Sequence, residues 1–148
     1  MNNIIQTSSL QKLIDGLNVD LAHEYAAMIQ YIYNASVVTG LSRKILKPYF
    51  EAEARDEMNH AQYLSEKIVN LGGTPEVNPA PVKQLIDVRE MIQHALNEEI
   101  ATIERYKTRL TEADEIGDIA LKNHLEEMIA EETRHKEELE HLLHDTRF

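Results

Sequence analysis

The chain is predicted to be all-α: an antiparallel four-helix bundle with one long crossover between its second and third helices. Three observations lead there. Apolar residues recur in alternating steps of three and four along four stretches, which marks helices with one buried stripe. Glycine and proline are scarce outside positions 71–82, LGGTPEVNPAPV, where Gly72-Gly73 stops a helix and Pro75, Pro79 and Pro81 block another. That loop divides the chain into two halves of similar pattern.

The first stripe runs Leu10, Ile14, Leu17, Leu21, Glu24, Met28, Tyr31, Ala35 and Val38, and Ser8 with Gln11 forms a candidate capping box before it. A break at Thr39-Gly40-Leu41-Ser42 ends this helix. The second stripe is Leu46, Phe50, Glu53, Glu57, His60, Leu64, Ile68 and Leu71; Pro48 either kinks that helix or lies near its start. After the crossover, Leu85, Val88, Ile92, Ala95, Glu99, Ile103, Tyr106 and Leu110 form the third. Gly117 breaks it, and Leu125, Met128, Glu132, His135, Leu139 and Leu142 form the fourth. Helices of roughly 25–30 residues run about 40 Å at 1.5 Å per residue, the proportions of an antiparallel bundle.

A length of 148 residues fits a single domain, 1–148. The absence of cysteine excludes disulfides, thiol catalysis, iron–sulfur clusters and Cys-ligated zinc. The first residues carry no basic segment followed by an apolar run, and no stretch nears the ~18 apolar residues of a membrane span, so a cytoplasmic protein with no membrane partner is expected. A net charge of −11 argues against direct DNA binding and suits a cationic partner, metal ions included.

Every apolar stripe is interrupted by acid. Glu24, Glu57, Glu99 and Glu132 stand where leucine is expected, and His60 and His135 do so too. An isolated buried carboxylate costs several kcal/mol even after relaxation. No stripe carries Lys or Arg, which leaves protonation or metal cations to compensate. Oxygen and imidazole donors suit iron, manganese or zinc. The spacing fits as well. Glu57-Met58-Asn59-His60 and Glu132-Thr133-Arg134-His135 are both Glu-x-x-His, which puts the two donors on one helical face. Glu24 precedes Glu57 by 33 residues (57 − 24) and Glu99 precedes Glu132 by 33 (132 − 99); Tyr31 and Tyr106 each follow the first acid of their half by seven. An internal duplication with a pseudo-two-fold axis follows, placing two metals bridged by two shared carboxylates. Four carboxylates and two divalent ions sum to zero. A water-filled polar seam is the plain alternative.

At these six residues the sequence resembles the ferritin-like superfamily, bacterioferritin in particular; the run Asp56-Glu57-Met58-Asn59-His60-Ala61 is similar to bacterioferritin's second helix. The resemblance spans roughly residues 8–144 and implies a ferroxidase that binds two Fe(II) per chain, oxidises them with O₂ or H₂O₂, and stores the ferric product in a homo-oligomeric cage. It implies Glu57 and Glu132 as bridges, Glu24 and Glu99 as terminal ligands, and His60 and His135 completing each site, with manganese or zinc able to substitute for iron. Tyr31 matches a tyrosine beside the family's diiron centre, as electron donor, hydrogen-bond partner or plain core residue. Met58 matches the methionine that holds haem between two bacterioferritin subunits, against the ordinary reading of an apolar interface residue.

Three departures shape the expectation. Thirteen residues follow His135 (148 − 135), too few for the fifth helix that lines the channels of a 24-subunit shell, so a twelve-subunit, Dps-like cage is favoured over a 24-mer or a dimer. Ala52 replaces the histidine of bacterioferritin's inner-surface iron site, although Asp56 is kept. Without cysteine, the rubrerythrin variant is excluded. A dimanganese catalase and a DNA-protecting Dps-like cage are the competing functions. Glu53 is expected as a partly solvated acid, His141 and His144 as helix C-terminal cations, and His23, His94 and His124 as surface or interface residues.

Overall fold

The computed structural model describes residues 2–147. Four helices account for most of them: α1 (Asn2–Val37), α2 (Arg43–Asn70), α3 (Val88–Ile116) and α4 (Ile119–Leu143). Local chemistry sets most of their ends. Asp87 accepts from the Glu90 N–H at 2.9 Å to start α3, and Asp118 accepts from Leu121 at 2.9 Å to start α4. Gly117 closes α3 with φ 75°, a left-handed conformation that costs a residue without Cβ little. Arg43 caps the end of α1 by donating to the Val38 carbonyl at 2.7 Å. No described helix is long and apolar enough to cross a membrane.

α1 pairs with α2 and α3 with α4 as two hairpins; α1 also faces α3, while α2 and α4 meet only loosely. The crossover is tied along α1. Asn18 donates to Thr74 O (3.1 Å) and accepts from Glu76 N (2.8 Å). Further on, Ala80 N donates to Ala22 O (2.9 Å) and Tyr33 Oη to Leu85 O (3.0 Å). Gln30 grips Lys83 at two points, donating to its carbonyl and accepting from its N–H, both at 2.8 Å.

The apolar core comes in two parts. One gathers Leu13, Leu17, Leu21, Leu64, Ile68, Leu121 and Leu125. The other gathers Val38, Leu46, Phe50, Met91, Ile92 and Leu139. The stripe acids Glu24, Glu57, Glu99 and Glu132 lie between them in sequence, one on each helix.

The structure corrects two boundary expectations and decides between the two readings of a third. α1 begins well before Ser8, so there is no capping box there: Thr7 Oγ1 donates back to Asn3 O at 2.6 Å and Gln11 pairs with Asp15 at 2.8 Å, both within the helix. Leu85 belongs to the crossover, because α3 starts at the stronger Asp87 cap; its side chain still packs on the second core. Pro48 is the sixth residue of α2, near its start, where the missing N–H costs one backbone bond in the second turn.

Candidate metal centre

Each core helix contributes its stripe acid to one buried layer. Glu24, Glu57, Glu99 and Glu132 are at most 4% exposed, and His60 and His135 at most 8%. Donor atoms of Glu24, Glu57, His60 and Glu132 lie within 4.8 Å of one another, as do those of Glu57, Glu99, Glu132 and His135. Glu57 and Glu132 are common to both groups. Their two oxygens face opposite ways. Glu132 Oε1 is 3.0 Å from His60 Nδ1 and its Oε2 is 3.1 Å from His135 Nδ1. Glu57 Oε2 is 3.4 Å from His60 Nδ1, and its Oε1 is 3.8 Å from His135 Nδ1. Glu24 Oε2 and Glu99 Oε1 each stand 3.8 Å from one histidine only, His60 and His135 respectively.

The surrounding contacts obey the same pseudo-symmetry. Tyr31 Oη donates to Glu99 Oε1 at 2.7 Å, and Tyr106 Oη donates to Glu24 Oε1. Both tyrosines are buried, and burial followed by the neighbouring carboxylates raises both phenols well above the ordinary range. The outer ring nitrogens are held crosswise: His60 Nε2 is 2.7 Å from Glu131 on α4, and His135 Nε2 is 3.3 Å from Asp56 on α2. Such partners fix ring orientation and leave Nδ1 free to act as a donor. Tyr106, Glu131 and Asp56 were not predicted in these roles. The signal was present: Asp56-Glu57 and Glu131-Glu132 put an acid at the same place in each Glu-x-x-His motif.

Glu53 departs from the sequence expectation. It is buried rather than partly solvated, with Oε2 3.1 Å from His135 Nδ1, because its stripe position turns it into the bundle. Met58 is half exposed on α2. His23, His94 and His124 are each half-buried, and His124 stacks on Tyr63. His141 and His144 are exposed at the end of α4.

Burial and then neighbouring carboxylates push Glu57 and Glu99 well above the usual carboxylate range, and burial drives Glu53 up to about 7. Burial disfavours charge on His60, but the surrounding carboxylates of Glu132, Glu24 and Glu57 overcome it and raise its pKa. Glu24 is the exception: the neighbouring Glu57 and His60 side chains, with the Tyr106 hydroxyl, outweigh its desolvation and lower it. Despite these contacts, Glu24 Oε2, Glu53 Oε2, Glu57 Oε1, Glu132 Oε1 and His60 Nδ1 are buried without a hydrogen-bond partner. Buried polar atoms are nearly always satisfied. Five orphans with hard or borderline donor character in one layer fit divalent cations.

A pH prediction follows. Groups raised in the folded chain hold protons that the unfolded chain releases. Their stabilisation is present below the unfolded value, 4.5 for Glu, and is lost as pH rises through the folded one, about 7 for Glu53. His60 acts in the same sense above 6.5, whereas Glu24 acts only below 4.5. The metal-free chain is therefore expected to lose thermal stability between about pH 5 and pH 8. Metal binding requires deprotonated carboxylates, so the loaded chain should show the opposite slope over that interval. Thermal melts with chelator and with Co(II) check it; parallel slopes would refute the assignment.

Fold and centre together define a class: a four-helix bundle with paired carboxylate–histidine sites on its pseudo-two-fold axis. The family model for the ferritin-like domain matches residues 14–148. A ferritin-like, diiron-carboxylate protein of Bacillus anthracis strain Ames superposes with a TM-score of 0.90 at 51% identity, covering 91% of this chain and 97% of that one. Bacterioferritin of Streptomyces coelicolor is 31% identical over 130 residues, 87% of this chain and 78% of the relative. The Desulfovibrio desulfuricans bacterioferritin structure, described with a diiron site, gives a TM-score of 0.86 at 29% identity, covering 93% of this chain and 81% of that one. The chain belongs to the ferritin-like domain family.

Proposed function

We propose that the protein is a ferroxidase that detoxifies and stores iron, with Fe(II) as its substrate. Glu57 and Glu132 bridge two ions, Glu24 and His60 complete one site, and Glu99 and His135 complete the other. The observation that carries this reading is the outward splay of the two shared carboxylates, each presenting one oxygen to each histidine. Two Fe(II) supply two electrons: H₂O₂ with two protons then yields two waters, and O₂ with two protons yields H₂O₂. The chain's own part is to hold charge and protons. Glu131 and Asp56 fix the histidine rings, and Tyr31 and Tyr106 donate hydrogen bonds to the two terminal carboxylates and hold them in place. The charge balance of four carboxylates and two divalent ions makes the layer compatible with burial; Glu53, raised to about 7, can keep its proton.

Storage requires a hollow assembly, and the twelve-subunit shell is the form to test first by light scattering. Anaerobic Fe(II) titration followed by air exposure tests the chemistry. A fast oxidation phase that saturates at two irons per chain is expected. Oxidation at the buffer rate sinks the ferroxidase reading, and rapid O₂ release from peroxide by the manganese form would replace it with catalase.

A further inference from the structure

The two halves of the chain supply matching glutamates, histidines and tyrosines to the centre, but the approaches to it do not match. Adding 75 to a position in the first half gives its counterpart: Glu24 becomes Glu99 (24 + 75) and Tyr31 becomes Tyr106 (31 + 75). By the same offset Asp20 corresponds to Ala95 and Gln30 to Arg105. Beside Glu24, between α1 and α3, these positions are filled by an ion network. Asp20 is 1% exposed, 2.8 Å from Arg109 Nε and 3.6 Å from Arg105 Nε; Arg109 in turn donates to Glu112 at 2.6 Å. Its guanidinium runs so close to Gly16 that a Cβ there would meet it at 2.3 Å. Beside Glu99 the counterparts are the short Ala95 and an uncharged Gln30. There the groove keeps a cavity of about 20 Å³ whose floor is Tyr31, Glu57 and Glu99. Gln30 does not fill it, because its amide is held by the backbone of Lys83, and Pro81 of the same strap lies across the cavity.

We infer that this slot is the passage for the oxidant, and that the Asp20–Arg109 network closes its symmetry mate. Small neutral molecules such as O₂ and H₂O₂ then reach the centre from the Glu99–His135 side only. The inference rests on the ferroxidase reading for its substrate. The slot has room for about one water-sized molecule, far less than a hydrated divalent cation needs. Its walls at Ala26 and Ala95 are methyl groups, with His94 and Glu98 also in its lining, so its narrowness is what bars a hydrated cation. The opening between α2 and α4 differs in size: its cavity of about 290 Å³, lined by His60, Asp56, His124, Glu127 and Glu131 with Arg134 beside them, has room for a hydrated cation and offers it ligands. The two reactants thus approach along opposite faces of the bundle.

Nitric oxide, a neutral diatomic that binds Fe(II) without turnover, tests the passage. The full chain is loaded anaerobically with Fe(II), and NO association is followed by stopped-flow absorbance and by the spin-3/2 resonance of the adduct. Ala26→Val and Ala95→Val, on different helices, are expected to slow association at least fivefold while Co(II) absorbance still reports two ions per chain. Gln30→Ala, which adds no bulk, shortens a wall of the slot and removes two ties of the strap, should speed it at least twofold. Asn59→Trp, at the α2–α4 opening, should leave it unchanged. Wild-type rates in the valine variants with intact Co(II) sites, an unchanged rate in Gln30→Ala, or slowing by Asn59→Trp each overturn the assignment. Because NO binding needs no oxidation, a chain that fails as a ferroxidase still reports on the slot.

Discussion

Glu132→Gln is expected to abolish the fast oxidation phase and, at the same time, to stabilise the metal-free chain. Glu132 is fully buried and presents one oxygen to each histidine at 3.0 and 3.1 Å. Its loss removes a ligand from both proposed sites, so oxidation should fall on the order of 100-fold or more, beyond what the loss of an outer partner of a ligand costs. The glutamine keeps the volume and opens no cavity, but it removes one member of a crowded set of like charges. Glu57 and Glu99 are both held protonated in part by Glu132's charge. Without metal, the variant should melt above the wild-type chain; with metal, the order reverses. A purely structural glutamate would give the same order in both states, so paired melts with and without Co(II) separate the two roles.

Metal loading itself is expected to raise the melting temperature by about 10–20 °C. An ion present at a hundred times its dissociation constant adds about 2.7 kcal/mol per site, hence about 5 kcal/mol for two. A domain of this size shifts by roughly 2–4 °C per kcal/mol. The carboxylates and histidines converge only in the folded bundle, from positions as far apart as Glu24 and Glu132, so the unfolded chain competes poorly. Scanning calorimetry against free Co(II) or Mn(II) measures this; a shift under 2 °C at saturation would contradict a buried two-ion centre.

The candidate site was legible because it violates the pattern that built the fold. Four regular stripes make any acid on them conspicuous, and equal offsets in two halves make coincidence a poor account. Glu53 sits on its stripe as squarely as Glu57, yet has no partner at the matching offset, where position 128 is Met, so the repeat did not flag it. Asp20 and Arg109 were invisible for another reason. They meet across α1 and α3 at a separation of 89 residues, and neither stands in a motif. The early start of α1 is hidden because Thr7 can bond back to a helical carbonyl and Gln11 forward to Asp15, uses within a helix that compete with capping by the same residue types.

The divided hydrophobic interior has a mechanical corollary. Oil at either end and a polar layer at the waist make a bundle glued twice, with the ions of the proposed centre as the pins between. The metal-free chain should breathe most at its middle, where unsatisfied polar groups replace apolar cohesion, while its ends stay shut. On the ferroxidase reading proposed above, each ion that departs as product would loosen the collar that admits its successor, tying filling and emptying to stiffness without any separate moving part.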